Sequence, residues 1–304
     1  MKTVRFAFLL ILGCSCATGL AQQVPSAVTT DPPVDKQNPA AMESFQLPSH
    51  GSQLNALMYI AAGAEPHPTV ILLHGFPGNE RNLDLAQAIR RAGWNVLYFN
   101  YRGAWGSPGD FSFSHCMEDV AAAVAYLREP ANATLLRVDA KRIVLIGHSM
   151  GGFMTVAGGA HDAGVEAIGV ISPGNMGEIA TAMVKGYGES AAPSKMAAML
   201  AKEGIAPLHG CTSESLAQEA IAHRAEWSYE GYARTLATRP VLVISSDDGL
   251  AAQATLFAET LRKDGNTKVT DLRLATDHAY SDKRIALESA VLSWLAALPT
   301  TAAH

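Results

Sequence analysis

The amino-acid sequence predicts an α/β protein with a mainly parallel central sheet flanked by helices, and three observations carry that expectation. From Met42 onward, short apolar strand-like runs alternate with longer helical patterns, as in sheets whose strands are joined by helical crossovers. The runs Val70-Ile71-Leu72-Leu73 and Ile143-Val144-Leu145-Ile146 are apolar at every position, which suits strands buried on both faces. With 304 residues, 48% of them hydrophobic and 17% charged, the chain can bury the core of one large domain, or at most two.

Strands are expected at Leu54–Ile60, Thr69–Leu73, Asn95–Asn100, Arg142–Ile146, Ala167–Ile171, Pro240–Ser245 and Val269–Leu274. Helical patterns fall between them at Leu83–Arg91, Met117–Arg128, Met150–Ala160, Ala251–Lys263 and Lys283–Ala296. The alternation stops between Asn175 and Thr238, where Ala- and Met-rich, helix-prone stretches are broken by Gly and Pro. A strandless segment of that length, about 175–238, is expected to be a helical cap inserted over the sheet; the alternative is a structural hairpin that touches no substrate.

The chain begins Met-Lys-Thr-Val-Arg, continues with an apolar run from Phe6 to Gly13, and reaches small residues at Gly19-Leu20-Ala21. Residues 1–21 therefore read as a secretory signal peptide cut after Ala21, which implies an exported protein, periplasmic or secreted. The run is shorter than the roughly 20 apolar residues that a membrane span needs, so none is expected. A competing reading takes Ile11-Leu12-Gly13-Cys14 as a bacterial lipoprotein signal, with Cys14 acylated as a lipid anchor. Residues 22–41, rich in Pro, Ser, Thr, Asp and Gln, are expected to form a flexible linker ahead of a domain spanning 42–304. Once the leader is removed, Cys116 and Cys211 remain, either paired or as two ordinary thiols. The net charge of −5 is spread without a Lys/Arg-rich block, which argues against nucleic acid as a partner.

Gly147-His148-Ser149-Met150-Gly151 follows a buried strand and opens a helical pattern. A serine on a sharp strand-to-helix turn needs small residues two positions either side, because a Cβ there would strike the turn or the adjoining helix. In this context the sequence resembles the α/β-hydrolase superfamily, especially its bacterial esterase, dienelactone-hydrolase-like and serine-aminopeptidase-like members. The likeness runs from Phe45 to Leu295 in element order. It implies an α/β-hydrolase fold and a nucleophile at Ser149, followed by an acid after a later strand and a histidine near the C-terminus.

By that resemblance the acid is Asp248, in Ser245-Ser246-Asp247-Asp248-Gly249, with Asp247 as the competing register and helix capping as the ordinary role of the aspartate left over. The base is His278, in Thr276-Asp277-His278-Ala279-Tyr280. His67, His115, His161, His209 and His223 have no expected catalytic partner, and His148 is expected to pack. His74-Gly75-Phe76-Pro77-Gly78 resembles the family's oxyanion loop, so the backbone N–H groups of Phe76 and Met150 are the expected donors to the developing anion. Asn100-Tyr101-Arg102-Gly103 and the Trp105–Gly109 stretch resemble a supporting loop, to which no chemistry is assigned. Phe76, Trp105 and Met176 are the candidate lining of the substrate pocket, with plain packing as their alternative.

The resemblance implies ester hydrolysis through an acyl-enzyme on Ser149, with a small ester or short peptide as substrate. No cofactor and no metal is required, and no His-Glu-x-x-His or paired Cys-x-x-Cys spacing occurs. A serine at the turn argues against the carboxylate-nucleophile dehalogenases and epoxide hydrolases. A serine exopeptidase or amidase on the same triad is the nearest alternative; it would want acidic residues to clamp the substrate amine, and Glu178, Glu189 and Glu203 lie in the insertion without a position that the sequence assigns. A non-catalytic binding protein on this scaffold is the more distant one.

Overall fold

A computed structural model of the protein describes residues 24–299. The expected signal peptide, its cut after Ala21 and the Cys14 anchor lie outside those residues. The described strands, β1 to β8, are Ala41–Ser49, Ser52–Ile60, His67–Leu73, Asn95–Phe99, Val138–His148, Ala167–Ile171, Val241–Ser245 and Val269–Arg273. The helices, α1 to α11, are Ser26–Thr29, Leu83–Arg91, Phe113–Arg128, Pro130–Leu135, Met150–His161, Met176–Tyr187, Ala192–Glu203, Ser213–Ala222, Tyr229–Ala233, Ala251–Lys263 and Arg284–Ala296.

All eight strands form one sheet in the order β1-β2-β4-β3-β5-β6-β7-β8. β2 is antiparallel to both β1 and β4, and the six strands from β4 to β8 pair in parallel. Side chains alternate between two apolar layers because successive Cβ atoms point to opposite faces. Val70, Leu72, Val144, Ile146, Leu242 and Ile244 pack with residues of α2 and α11. Ile71, Leu73, Leu145 and Val243 pack on the other face with residues of α3, α5 and α10. Each such side chain contributes roughly 1.5–3 kcal/mol when fully buried, which explains why the central strands are apolar throughout.

Segment 175–238 is helical, as expected, and carries α6 to α9. It is tied to the domain by Glu219 of α8, whose carboxylate accepts the N–H groups of Phe113 and Ser114 at 2.9 Å each. Together with the Ser112 cap on His115 N–H, this starts α3 at Phe113, four residues before the helical pattern becomes apparent at Met117. β1 carried no strand signal: it holds Glu43, Gln46 and Pro48, and a sheet edge accommodates a polar strand with a proline. In the segment read as a flexible linker, α1 is docked on the domain, since Arg91 donates to the carbonyls of Ala27 at 2.6 Å and Val28 at 3.4 Å. Cys116 is buried and Cys211 half-buried, and both are free thiols.

The supporting loop is fixed by a buried carboxylate. Asp119 accepts from Arg102 N–H at 2.8 Å, Arg102 Nε at 2.7 Å and Ser49 Oγ at 2.6 Å. No described helix is long and apolar enough to cross a membrane.

Candidate active site

Four loops converge at the C-terminal ends of the parallel strands β3, β5, β7 and β8, the edge where open α/β sheets place their sites. Ser149 occupies the turn from β5 into α5 at φ 59 and ψ −121, a conformation that costs a residue with a Cβ on the order of 1–3 kcal/mol. Backbone hydrogen bonds hold it there. Ser149 N–H donates to Ile171 at 2.9 Å, and its carbonyl accepts from Gly152 at 2.9 Å and Gly174 at 3.3 Å. The glycines of the turn are required for space: a Cβ on Gly147 would lie 2.0 Å from the Gly151 carbonyl oxygen, and one on Gly151 would lie 2.2 Å from that of Leu73.

His278 Nδ1 lies 2.7 Å from Asp248 Oδ2. The Asp248 side chain is only 2% exposed, while that of His278 is 41% exposed. Burial opposes the Asp248 charge, yet hydrogen bonds from His278, Ser172, the Leu250 N–H and Ser246 outweigh it and hold the carboxyl well below the usual carboxylate range. The competing aspartate points elsewhere: Asp247 is half exposed and pairs with Arg273 at 2.6 Å.

His148 does more than pack. Its Nε2 lies 2.8 Å from the His278 carbonyl oxygen and its ring centroid 4.6 Å from that of His278. Burial pushes it down to about 4, so the neutral ring donates from Nε2 and ties the histidine loop to the serine turn. His74 is likewise pushed down to about 4 by burial and donates from Nδ1 to the Gly75 carbonyl at 2.8 Å. The other six described histidines do not line the site.

The N–H groups of Phe76 and Met150 make no hydrogen bond to the described protein. Met150 begins α5, so its N–H also carries the positive end of the helix dipole. Gly75 lets the two segments meet, since a Cβ there would fall 2.9 Å from Ser149 Cβ.

Ser149, Asp248, His278, Phe76 and Met150 line one cavity of about 430 Å³. Ser149 Oγ makes no hydrogen bond to His278 in this rotamer. The remaining wall is largely apolar: Phe113 from α3, Met176 and Ile179 from α6, and Met199 and Leu200 from α7, with Glu203 at the end of α7. Of the expected lining, Phe76 and Met176 are present. Trp105 stands behind the wall: its Nε1 donates to the Pro77 carbonyl at 2.8 Å and Arg81 covers its ring at 4.2 Å, bracing the loop that bears Phe76. Phe113, Ile179, Met199 and Leu200 escaped the sequence reading, the last two inside an Ala/Met-rich stretch that marks a helix but not what it faces. Of the other acidic residues, Glu178 lines a neighbouring cavity and Glu189 pairs with Arg224 at 2.8 Å. Among the described residues, no three His, Cys, Asp or Glu side chains group as metal ligands would.

Residues 70–287 match the model of the alpha/beta hydrolase family. A protein of Salmonella typhimurium named YfhR is 28% identical over 169 residues, covering 54% of this chain and 56% of that one. The quorum-quenching protein AidA of Acinetobacter baumannii is 29% identical over 136 residues, covering 43% of each. The matched region thus spans about half the length of these curated relatives. Among solved structures, EstE1, a thermophilic carboxylesterase from a metagenomic library, superposes with a TM-score of 0.64 at 22% identity, over 87% of this chain and 92% of that one. Est1E of Butyrivibrio proteoclasticus with ferulic acid bound gives 0.63 at 19% identity, over 83% and 98%.

Proposed function

Because the chain belongs to the alpha/beta hydrolase family, we propose that it is a serine hydrolase that cleaves carboxylic esters through an acyl-enzyme on Ser149. The observation that carries this reading is the hydrogen bond between His278 Nδ1 and Asp248 Oδ2. A carboxylate there keeps the proton on Nδ1, so Nε2 retains the lone pair a general base needs. Ser149 Oγ attacks the ester carbonyl as His278 Nε2 takes its proton. The oxyanion is met by the N–H groups of Phe76 and Met150, each such donor contributing about 2.7–4 kcal/mol to the transition state. The imidazolium returns the proton to the departing alcohol; His278 then deprotonates water for attack on the acyl-enzyme, which releases the acid and Ser149.

The apolar wall from α3, α6 and α7 favours an uncharged acyl group, and the carboxylesterases among the structural neighbours support an ester over other substrates. The test is hydrolysis of p-nitrophenyl esters from acetate to dodecanoate, run beside Ser149→Ala. Turnover by the wild type that is absent from the variant is the expected result. A folded wild type that hydrolyses none of the series, yet still binds ligand, points instead to a binding protein on this scaffold.

One residue favours a second reading, a serine exopeptidase or amidase. Glu203 lines the cavity, makes no ion pair to the described protein, and sits at a helix C-terminus where the dipole disfavours negative charge. A carboxylate so placed suits a substrate ammonium group. Aminoacyl p-nitroanilide turnover lost in Glu203→Gln, with p-nitrophenyl ester turnover retained, supports it. From residues 1–21 we also propose export from the cytoplasm, and the mass of the N-terminal peptide distinguishes a cut after Ala21 from an acylated Cys14.

A further inference from the structure

Behind Asp248, three hydroxyl groups from three separate segments meet in the interior. Ser172 follows β6, Ser246 follows β7, and Tyr280 comes two residues after His278. Ser172 Oγ lies 2.8 Å from Ser246 Oγ and 2.9 Å from Tyr280 Oη. All three residues are withdrawn from water, at 1%, 0% and 0% exposure. Ser172 at φ 43 and Tyr280 at φ 58 also hold left-handed backbone conformations, as Ser149 does. Two strained residues meeting through their hydroxyls require surroundings that hold them there, and such strain concentrates at functional sites.

The protons of the cluster need an outlet. Three hydroxyls carry three protons, and the two bonds among them use two. The acceptor bonded to the third is the Ile244 carbonyl, at a long 3.4 Å from Tyr280 Oη, and both serines also favour the charged form of the nearby Asp248 carboxylate. An anion is the stronger acceptor.

Resting on the Ser149–His278–Asp248 reading above, we propose that Ser172, Ser246 and Tyr280 form a positioning cluster that aims the Asp248 carboxylate at His278. The cluster joins the ends of β6 and β7 to the histidine loop, so acid and base are held in register by one buried set of bonds. A carboxylate that loses a donor becomes a stronger base, and the proton it shares with His278 is then held more tightly. The other titratable and charged groups around the pair are His148, whose ring lies tilted against His278 at 4.6 Å between centroids, Arg284, which acts on His148, and the solvent-facing Asp247 and Asp277.

The experiment is proton NMR of ligand-free Ser172→Ala and Tyr280→Phe, following the His278 imidazole with pH, together with kcat and KM for a p-nitrophenyl ester. The expected result is a His278 titration moved upward by roughly half a pH unit in Ser172→Ala and by less in Tyr280→Phe. kcat is expected to fall about tenfold or more with KM within about twofold, because only the transition state senses the change. An unmoved titration in both folded variants overturns the proposal and leaves the hydroxyls as packing. Should Ser172→Ala fail to fold, Ser246→Ala provides the same readout. The titration needs no substrate, so an inactive wild type refutes the esterase reading while a shifted His278 still upholds the cluster.

Discussion

His278 and Asp248 meet at 2.7 Å, Nδ1 to Oδ2, on the loops that follow β8 and β7, and the neighbouring Asp247 turns outward to Arg273. The two aspartates therefore separate cleanly by experiment. Asp248→Asn keeps the shape but reverses the hydrogen-bond demand on the imidazole, and kcat is expected to fall by about ten thousandfold. Asp247→Asn removes a surface ion pair worth about 1 kcal/mol or less and is expected to leave kcat within about twofold. Steady-state kinetics on one p-nitrophenyl ester checks both.

The glycines around the serine turn differ in what they tolerate. Gly147→Ala and Gly151→Ala drive a Cβ into backbone oxygens at 2.0 and 2.2 Å, and a loss of about 3 kcal/mol or more is expected for each. Gly75→Ala meets Ser149 Cβ at 2.9 Å, which a small shift relieves, so kcat is expected to fall roughly ten- to hundredfold in a folded protein. Gly186, exposed in α6 with open space around it, is expected to gain about 0.5 kcal/mol as alanine. Urea unfolding ranks the stabilities, and kinetics separates Gly75 from the rest.

Acid should destabilise the fold before it protonates most carboxylates. His74 and His148 are pushed from the ordinary 6.5 down to about 4 by burial. Between pH 6.5 and 4 the unfolded chain therefore binds protons that the folded chain excludes, so stability falls as pH drops through this window, by about 3 kcal/mol for each histidine. Asp248, held well below the carboxylate range, adds a further loss in the same direction as the pH falls below about 4. Urea midpoints measured at pH 7.5, 6 and 5 should decline steadily, and His148→Gln should flatten the decline.

What the sequence made legible was local. Ser149 announced itself because a strand, a turn and a helix start lie within a few residues, and Gly147 and Gly151 have a steric role that any reading of the turn reveals. The central strands were visible because burial on both faces leaves only apolar residues. β1 was hidden because an edge strand alternates with solvent and tolerates Pro48. Met199 and Leu200 were hidden because the packing of α7 over the sheet decides which face of that helix meets the cavity, and no local pattern encodes it. Trp105 was placed in the wall because an aromatic beside the oxyanion loop fits either side, and its Nε1 bond to Pro77 chose the back. Ser172, Ser246 and Tyr280 lie up to 108 residues apart and read as ordinary loop residues until the sheet brings them together.

The role of Ser149 as nucleophile is tested most directly by reaction of the mature chain with a fluorophosphonate, followed by mass mapping of the adduct. One adduct is expected, on Ser149, formed fast in the wild type, slowly in His278→Ala and not at all in Ser149→Ala. A folded wild type that gains no adduct, or an adduct that persists in Ser149→Ala, would contradict it.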